Sequence, residues 1–274
     1  MFIKILSDLL HNINIIQFGI FSVLLITLWL VENSYSNVTA EIKWRHTKLN
    51  SFFTLTAVPI QFISISLCVL LAMWCENEHW GLFYLLQSSV GTFLNYVLMF
   101  FFLDFFDYIY HRTMHSVPIL WRFHLIHHTD MSVDVSTTIR EHPGDTSIRN
   151  IFLIIGIFMS GASVEVLLFR QAVETLSNVC AHTQLRVPTF LNKMITFLFV
   201  TPNFHKSHHH FKLPYTNKNY GDVLTIWDRI FGTYSYLKYE SIKVGLDTHI
   251  SGEGDDKIKQ WASYLGPLGM IFKS

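Results

Sequence analysis

The chain has 274 residues, 50% of them hydrophobic and only 15% charged, with a mean hydropathy of +0.33. Soluble domains carry about a quarter charged residues, so this depletion excludes an ordinary soluble domain and points to a membrane protein. The 20 basic and 20 acidic side chains cancel, which gives no basis for a nucleic-acid partner, and no glycine-rich phosphate loop occurs.

The first element is the run from Asn12 to Val31, which contains no Asp, Glu, Lys or Arg. Its length matches the roughly 20 residues a helix needs to span a bilayer. A secretory leader is the competing reading, but the apolar part is long for one and no small-x-small cleavage site follows cleanly. Leu49 to Cys75 is a second uncharged run, in which Pro59 predicts a kink rather than an end, because membrane helices tolerate proline. Leu82 to Leu103 is a third, and its pattern predicts one unbroken helix past Asp104 and Asp107 to His115.

The loops predict an orientation. The 32–50 connection carries Lys43, Arg45 and Lys48, whereas 76–80 carries Glu76 and Glu78 and nothing basic. Positive-inside logic puts 32–50 in the cytoplasm, the amino terminus outside, and the end of the third helix back in the cytoplasm with Arg112, Arg122, Arg140 and Arg149 nearby.

At that end the histidines begin. The segment from Asp104 to His128 holds five of the chain's 15. His111 and His115 are four apart, and His124, His127 and His128 fall at i, i+3 and i+4, so each set shares a helix face. Pro118 suits the first turn of the helix carrying the second set. After His128 the chain turns polar: residues 129–147 predict an irregular or partly extended cover. Asn150 to Val164, a turn at 161–163, and 164–181 then predict a hairpin that is ambiguous between re-entrant and spanning. Thr189 to Val200 predicts a short amphipathic segment at the interface. Thr201 and Pro202 predict another helix start, one turn before His205, His208 and His209. Beyond about residue 211 the chain reads as soluble and cytoplasmic.

Two HxxHH boxes, both predicted on proline-started helices, are far less expected by chance than one. Imidazole suits Fe, Zn and Cu, and the absence of thiolate clusters argues against structural zinc or an iron–sulfur centre. Eight histidines in three patches exceed one tetrahedral ion and suit two metals with room for oxygen or water. Asp107 and Asp104 precede His111 by one and two helical turns and are candidates to orient its ring, although they also mark the membrane boundary. His142 precedes a proline and His182 follows the hairpin; spacing alone leaves both open. His210 points about 100° away from its neighbour and is a poor ligand candidate. His11, His46, His79 and His249 are isolated and read as interface or surface residues. Cys68, Cys75 and Cys180 read as small hydrophobes, not a disulfide framework.

The text DYIYHRTMH at 107–115, LWRFHLIHHTD at 120–130, TTIREHP at 137–143, AHTQ around His182, TPNFHKSHHH at 201–210 and NYGDVLTIWDRIFGTY at 219–234 resembles the fatty acid hydroxylase/sterol desaturase superfamily of membrane di-iron oxygenases. The resemblance runs from about residue 104 to 236; the first 100 residues match only as generic membrane helices. It implies two irons held on the cytoplasmic side by His111, His115, His124, His127, His128, His205, His208 and His209, and adds His142 and His182 to the ligands. Asp145 stands where many relatives carry Glu, so the acid is kept but shortened. The implied reaction takes O₂ and two external electrons and hydroxylates or desaturates an apolar, membrane-soluble lipid of sterol or fatty-acyl type. No flavin, haem or iron–sulfur motif is visible, so a ferredoxin- or cytochrome b5-like donor with a reductase is expected. Zinc could replace iron in a preparation.

The expected architecture is all-α: one domain over 1–274, with about four spanning or re-entrant helices mainly in 1–103, a cytosolic helical cap holding the His region in 104–236, and a tail at 237–274. The alternatives are a metal transporter, which would place histidines along a pathway within its spans, a bis-histidine haem protein, an assembly protein without activity, and an acyl-chain desaturase of the other three-box membrane family.

Overall fold

A computed structural model describes residues 2–35 and 39–246; His249 and the part of the expected tail beyond residue 246 lie outside the described residues. Ten α-helices account for most of it: α1 (Phe2–Tyr35), α2 (Ala40–Asn77), α3 (Leu82–Val90), α4 (Thr92–Ser116), α5 (Pro118–His128), α6 (Pro143–Ser160), α7 (Val164–His182), α8 (Thr189–Ile195), α9 (Pro202–His208) and α10 (Ile226–Ile230). Among the described residues there is no sheet, only two isolated bridges, Phe199 with Leu224 and His210 with Val244.

Among the described residues, three stretches are long and apolar enough to cross a membrane: Ile15–Ser34, Glu41–Leu86 and Thr92–Ser116. Pro59 sits inside α2 without ending it. The third predicted helix is not continuous. It divides at Gly91, whose φ of 74° lies in the left-handed region that glycine enters without a Cβ clash, so α3 and α4 are separate helices.

The core of the bundle forms where α2, α4, α6 and α7 meet. Cys68, Val69 and Ala72 from α2, Met99 and Leu103 from α4, Leu153 and Ile157 from α6, and Val166 and Leu167 from α7 close it. Gly156 lets α4 and α6 approach closely: a Cβ there would lie 3.2 Å from Leu103 and Phe106. Small residues at such crossings are the usual means of helix contact where lipid, not water, surrounds the bundle. Cys68 and Cys75 are buried in this region and Cys180 is half-buried.

The hairpin resolves into α6 and α7, joined at Gly161 (φ 72°), with the Ser163 hydroxyl accepting from the Val166 N–H as an N-cap. Its turn packs on the far end of α2. Trp80 Nε1–H donates to the Phe158 carbonyl at 2.8 Å, and the Val164 N–H donates to Glu76 at 2.7 Å. At the other end, α6 starts earlier than the sequence suggests, at Pro143, because the His142 ring caps it by accepting the Gly144 N–H at 2.9 Å. The polar cover before it is a 3₁₀ turn, Val135–Ile139, fixed by a capping box between Asp134 and Thr137.

This cover is tied to the bundle through buried polar groups. Arg140 donates to the Ile126 carbonyl, Asn50 and Thr129, and Asn50 donates to Ser136. Glu32, near the end of α1, accepts from the main-chain N–H groups of Val135 and Gln184. His46 is not a free surface residue: it pairs with Asp130 at 2.8 Å and Asp134 at 3.2 Å. These contacts seat the cap on the ends of α1 and α2.

Candidate metal centre

Two of the histidine patches are delivered by short helices that begin with proline. α5 begins with Pro118 at its first turn, and α9 begins with Thr201, whose hydroxyl accepts the Phe204 N–H, followed by Pro202. The end of α4 carries His111 and His115, and the last residue of α7 is His182. The four elements converge so that the nine rings form two groups. His111, His115, His124, His128 and His208 offer ring nitrogens within 4.8 Å of one another, and so do His127, His182, His205 and His209. The adjacent residues His127 and His128 point into different groups.

The outer ring nitrogen of six of these rings is held by an acceptor. Nδ1–H of His111 donates to the Tyr220 carbonyl at 2.9 Å, of His182 to the Asn178 carbonyl at 2.8 Å, of His208 to the Lys218 carbonyl at 2.7 Å, and of His127 to the Arg140 carbonyl at 3.3 Å. His115 uses the Asn217 amide oxygen at 3.4 Å, and His124 the Asp145 carboxylate at 2.8 Å. Because each partner can only accept, Nδ1 carries the proton and Nε2 presents its lone pair inward.

Those inward nitrogens meet. His111 Nε2 lies 3.1 Å from His124 Nε2, His127 Nε2 lies 3.1 Å from His182 Nε2, and His205 Nε2 lies 3.0 Å from that of His182 and 3.2 Å from that of His209. In the first two pairs neither ring has a proton to share, so two lone pairs face one another. That arrangement fits a shared cation: two nitrogens each about 2.1 Å from one ion, at right angles, lie about 3.0 Å apart. The donor set is all imidazole, which suits Fe, Zn or Cu. Burial pulls His208 down to about 3 and His182 to about 4, and it drives His127, His128, His205 and His209 well below the usual imidazole range, helped by the neighbouring rings.

The other candidates fall as follows. His142 joins neither group; its Nδ1 caps α6, its ring stacks on Phe123 with centroids 5.0 Å apart, and its buried Nε2 has no hydrogen-bond partner. His210 accepts the Lys243 N–H at 3.0 Å and is in neither group. Asp145 orients a metal-facing ring, and Tyr110 donates to its second oxygen. Burial alone would raise Asp145, but His124, Tyr110 and Arg149 hold it below the usual carboxylate range. Asp104 and Asp107 orient no histidine. Asp104 accepts the Trp227 indole N–H at 2.7 Å and Asp107 pairs with Arg170, since a buried carboxylate one turn below His111 needs its own donor. The main-chain carbonyls that orient the rings leave no mark in the residue pattern, although Tyr220 lies within the NYGDV text. Asp228, from the WDRIFGTY text, holds that loop by accepting the N–H groups of Tyr220 and Gly221.

Two cavities adjoin the groups. A chamber of about 50 Å³ is lined by His111, His124, His127, His182 and His205, among others. A larger one of about 250 Å³ runs between α1, α2, α6 and α7 past Phe18, Phe21, Phe62 and Leu168. Asp107, Thr138, Glu141, Arg149 and Asn178 line both. A third group of potential ligands, Asp107, Glu174 and Asp222, borders these cavities, with Arg170 paired to both Asp107 and Glu174.

Comparison with known proteins bears directly on this arrangement. Residues 96–233 match the sequence profile of the fatty acid hydroxylase family. An ornithine lipid hydroxylase from Rhizobium tropici is 34% identical over 127 residues, 46% of this chain and 38% of its own length. An alkylglycerol monooxygenase from Homo sapiens is 31% identical over 189 residues, 69% of this chain and 39% of its own. A methylsterol monooxygenase from Arabidopsis thaliana is 28% identical over 150 residues, 53% of this chain and 55% of its own. The chain thus spans well under two thirds of each relative. No solved structure matches.

Proposed function

The chain belongs to the fatty acid hydroxylase family, and from that premise we propose that it is a membrane-bound, O₂-dependent oxygenase that hydroxylates a C–H bond of a lipid at a di-iron centre. The observation that carries this reading is the pair of histidine groups at the end of a cavity that opens among lipid-facing helices. His111, His115, His124, His128 and His208 would hold one iron, and His127, His182, His205 and His209 the other. His142, which the family resemblance adds, caps α6 instead. The relatives' names favour oxygen insertion over desaturation.

Bound iron would supply the strong oxidant that an unactivated C–H bond requires and that no acid–base residue provides. The chain's own work is positioning. The Nδ1 acceptors lock six rings in one tautomer and orientation, and Asp145 adds negative charge behind His124. The helices of the bundle exclude water from the chamber, and the cavity walls carry the alkyl part of the lipid. Two electrons and two protons per turnover convert the second oxygen atom to water; an external donor of ferredoxin or cytochrome b5 type with its reductase would deliver the electrons. The basic residues Lys43, Arg45 and Lys48, which lie in the first turns of α2, support a cytoplasmic site. A metal transporter is disfavoured because the histidines cap the spans in two closed groups instead of lining a path through them.

Purified protein should hold about two metal ions per chain, iron in the native host. His124→Ala and His208→Ala should each lose metal, and full retention in both would overturn the assignment. Lipid profiling of cells with and without the gene should show a product heavier by one oxygen atom; loss of two hydrogens would instead mean desaturation.

A further inference from the structure

The route from the large cavity to the histidines is walled by polar side chains. Asp107, Thr138, Glu141, Arg149 and Asn178 are common to both cavities and so form the neck between them. Helix α7 gives the scale. Going back from His182, Asn178 and Glu174 lie one and two turns away, about 6 and 12 Å at the helical rise, and Gln171 and Leu168 about 16 and 21 Å. Charged and amide groups therefore line the part nearest the histidines. Aromatic and aliphatic groups, Phe18, Phe21, Phe62 and Ile65, line the part facing the membrane, where Phe18 is half exposed.

The neck also has a definite charge. Arg149 is engaged by Glu141 at 2.8 Å, and Arg170 by Asp107 and, at 3.0 Å, by Glu174. Asp222 accepts from the Asn178 amide at 3.2 Å and, among the described residues, forms no ion pair, with Arg149 and Arg170 acting on it only at a distance. Four carboxyl groups thus stand against two guanidinium groups. Burial and Glu174 push Asp222 up to about 8, so near neutrality it is a carboxylic acid; three carboxylates still outnumber two cations. A second anion placed here meets repulsion and no free cation. A methylene chain placed here strips water from these ion pairs and returns no hydrogen bond. The Thr138 hydroxyl, on the wall of both cavities, is buried and without a partner.

We propose that the substrate lies with its polar end in this neck, against Thr138 and Asp222, and its alkyl part toward the membrane, and that this polar end is an uncharged hydroxyl. The carbons closest to the histidines are then those next to the polar group, and carbons in the middle of a long chain stay in the outer cavity. This assignment rests on the reading of the protein as a lipid oxygenase, but it concerns the cavity alone and is measured without turnover.

The test is competition against a pyrene-labelled fatty alcohol bound to the purified protein in nanodiscs, at a pH where palmitate is ionised. 1-Hexadecanol should displace the label at least about tenfold more effectively than hexadecane, palmitate or hexadecylamine, about 1.4 kcal/mol in binding. Equal displacement by hexadecane would overturn the orientation; palmitate or hexadecylamine matching the alcohol would overturn the uncharged head, as would a labelled alcohol that does not bind. Glu141→Gln frees Arg149 and should bring palmitate to within a few-fold of the alcohol. A Glu141→Gln protein that binds the alcohol normally yet still rejects palmitate would overturn the charge argument; if that variant fails to fold, the parent ranking alone decides. Protein that ranks the ligands as stated but holds no iron would refute the proposed function and leave this inference standing.

Discussion

Asp145 is the side chain behind the metal groups whose effect is most open to measurement. It is the only carboxylate hydrogen-bonded to a ring of either group among the described residues, and its other oxygen is held by Tyr110. Asp145→Asn keeps an acceptor but removes the charge, so metal affinity should fall about 10–100-fold, the usual effect of losing such a partner; chelator competition on the purified protein would measure it, and unchanged affinity would rule the role out. Asp222 makes a prediction of the opposite kind. With its folded-state value pushed up to about 8 against 3.8 for the free group, the folded chain holds a proton that the unfolded chain releases between those limits. The unfolded state therefore binds fewer protons there, and this residue's contribution to stability falls as pH rises through the window. Asp222→Asn removes that dependence, so the gain in melting temperature of the variant over the parent should grow from about pH 5 to about pH 8. A constant difference would contradict the shift.

Among the elements, helix α6 shows what spacing reveals and what it hides. The histidine patches at i, i+3 and i+4 and the two Pro-started helices were legible because helical periodicity and proline's missing N–H act locally. The break at Gly91 was not, because uncharged residues continue on both sides of it and only the backbone angle marks it. The early start of α6 was hidden too, since an imidazole is an unusual N-cap. His142→Ala should cost about 1 kcal/mol of stability, as other cap losses do, while both metal ions remain. A variant that loses metal would make His142 a ligand as well as a cap. Asp104 and Asp107 illustrate the same limit: helical spacing placed them below His111, but their partners, Trp227 and Arg170, come from distant parts of the chain.

At the level of the whole molecule, the two ends of the bundle are chemically distinct. One end gathers the histidines, Arg140 and the loop carbonyls; at the other, the α6–α7 turn rests on the α2–α3 turn. α6 has 18 residues, about 27 Å long at the helical rise and close to the apolar thickness of a bilayer. The hairpin was ambiguous in sequence because the uncharged run from Asn150 to Val164 has only 15 residues; α6 reaches back to Pro143 and so takes in Asp145 and Arg149, which both line the chamber. Cysteines introduced at Glu78 and Glu165, in a background with Cys180 replaced by Ser, should both be labelled from the side opposite the histidines. Labelling of Glu165→Cys from the histidine side would mean that the hairpin does not cross.

The main-chain carbonyls of Arg140, Asn178, Lys218 and Tyr220 hold four of the nine rings. A carbonyl is the same whatever side chain its residue carries. The orientation of those four rings is therefore encoded in the path of the backbone, not in the amino-acid alphabet at the positions that enforce it. Substitutions there that preserve the local path should pass silently through metal binding. A one-residue insertion in 217–221 should not, because it moves two of the four carbonyls at once. For this site, chain length between the boxes carries information that residue identity does not.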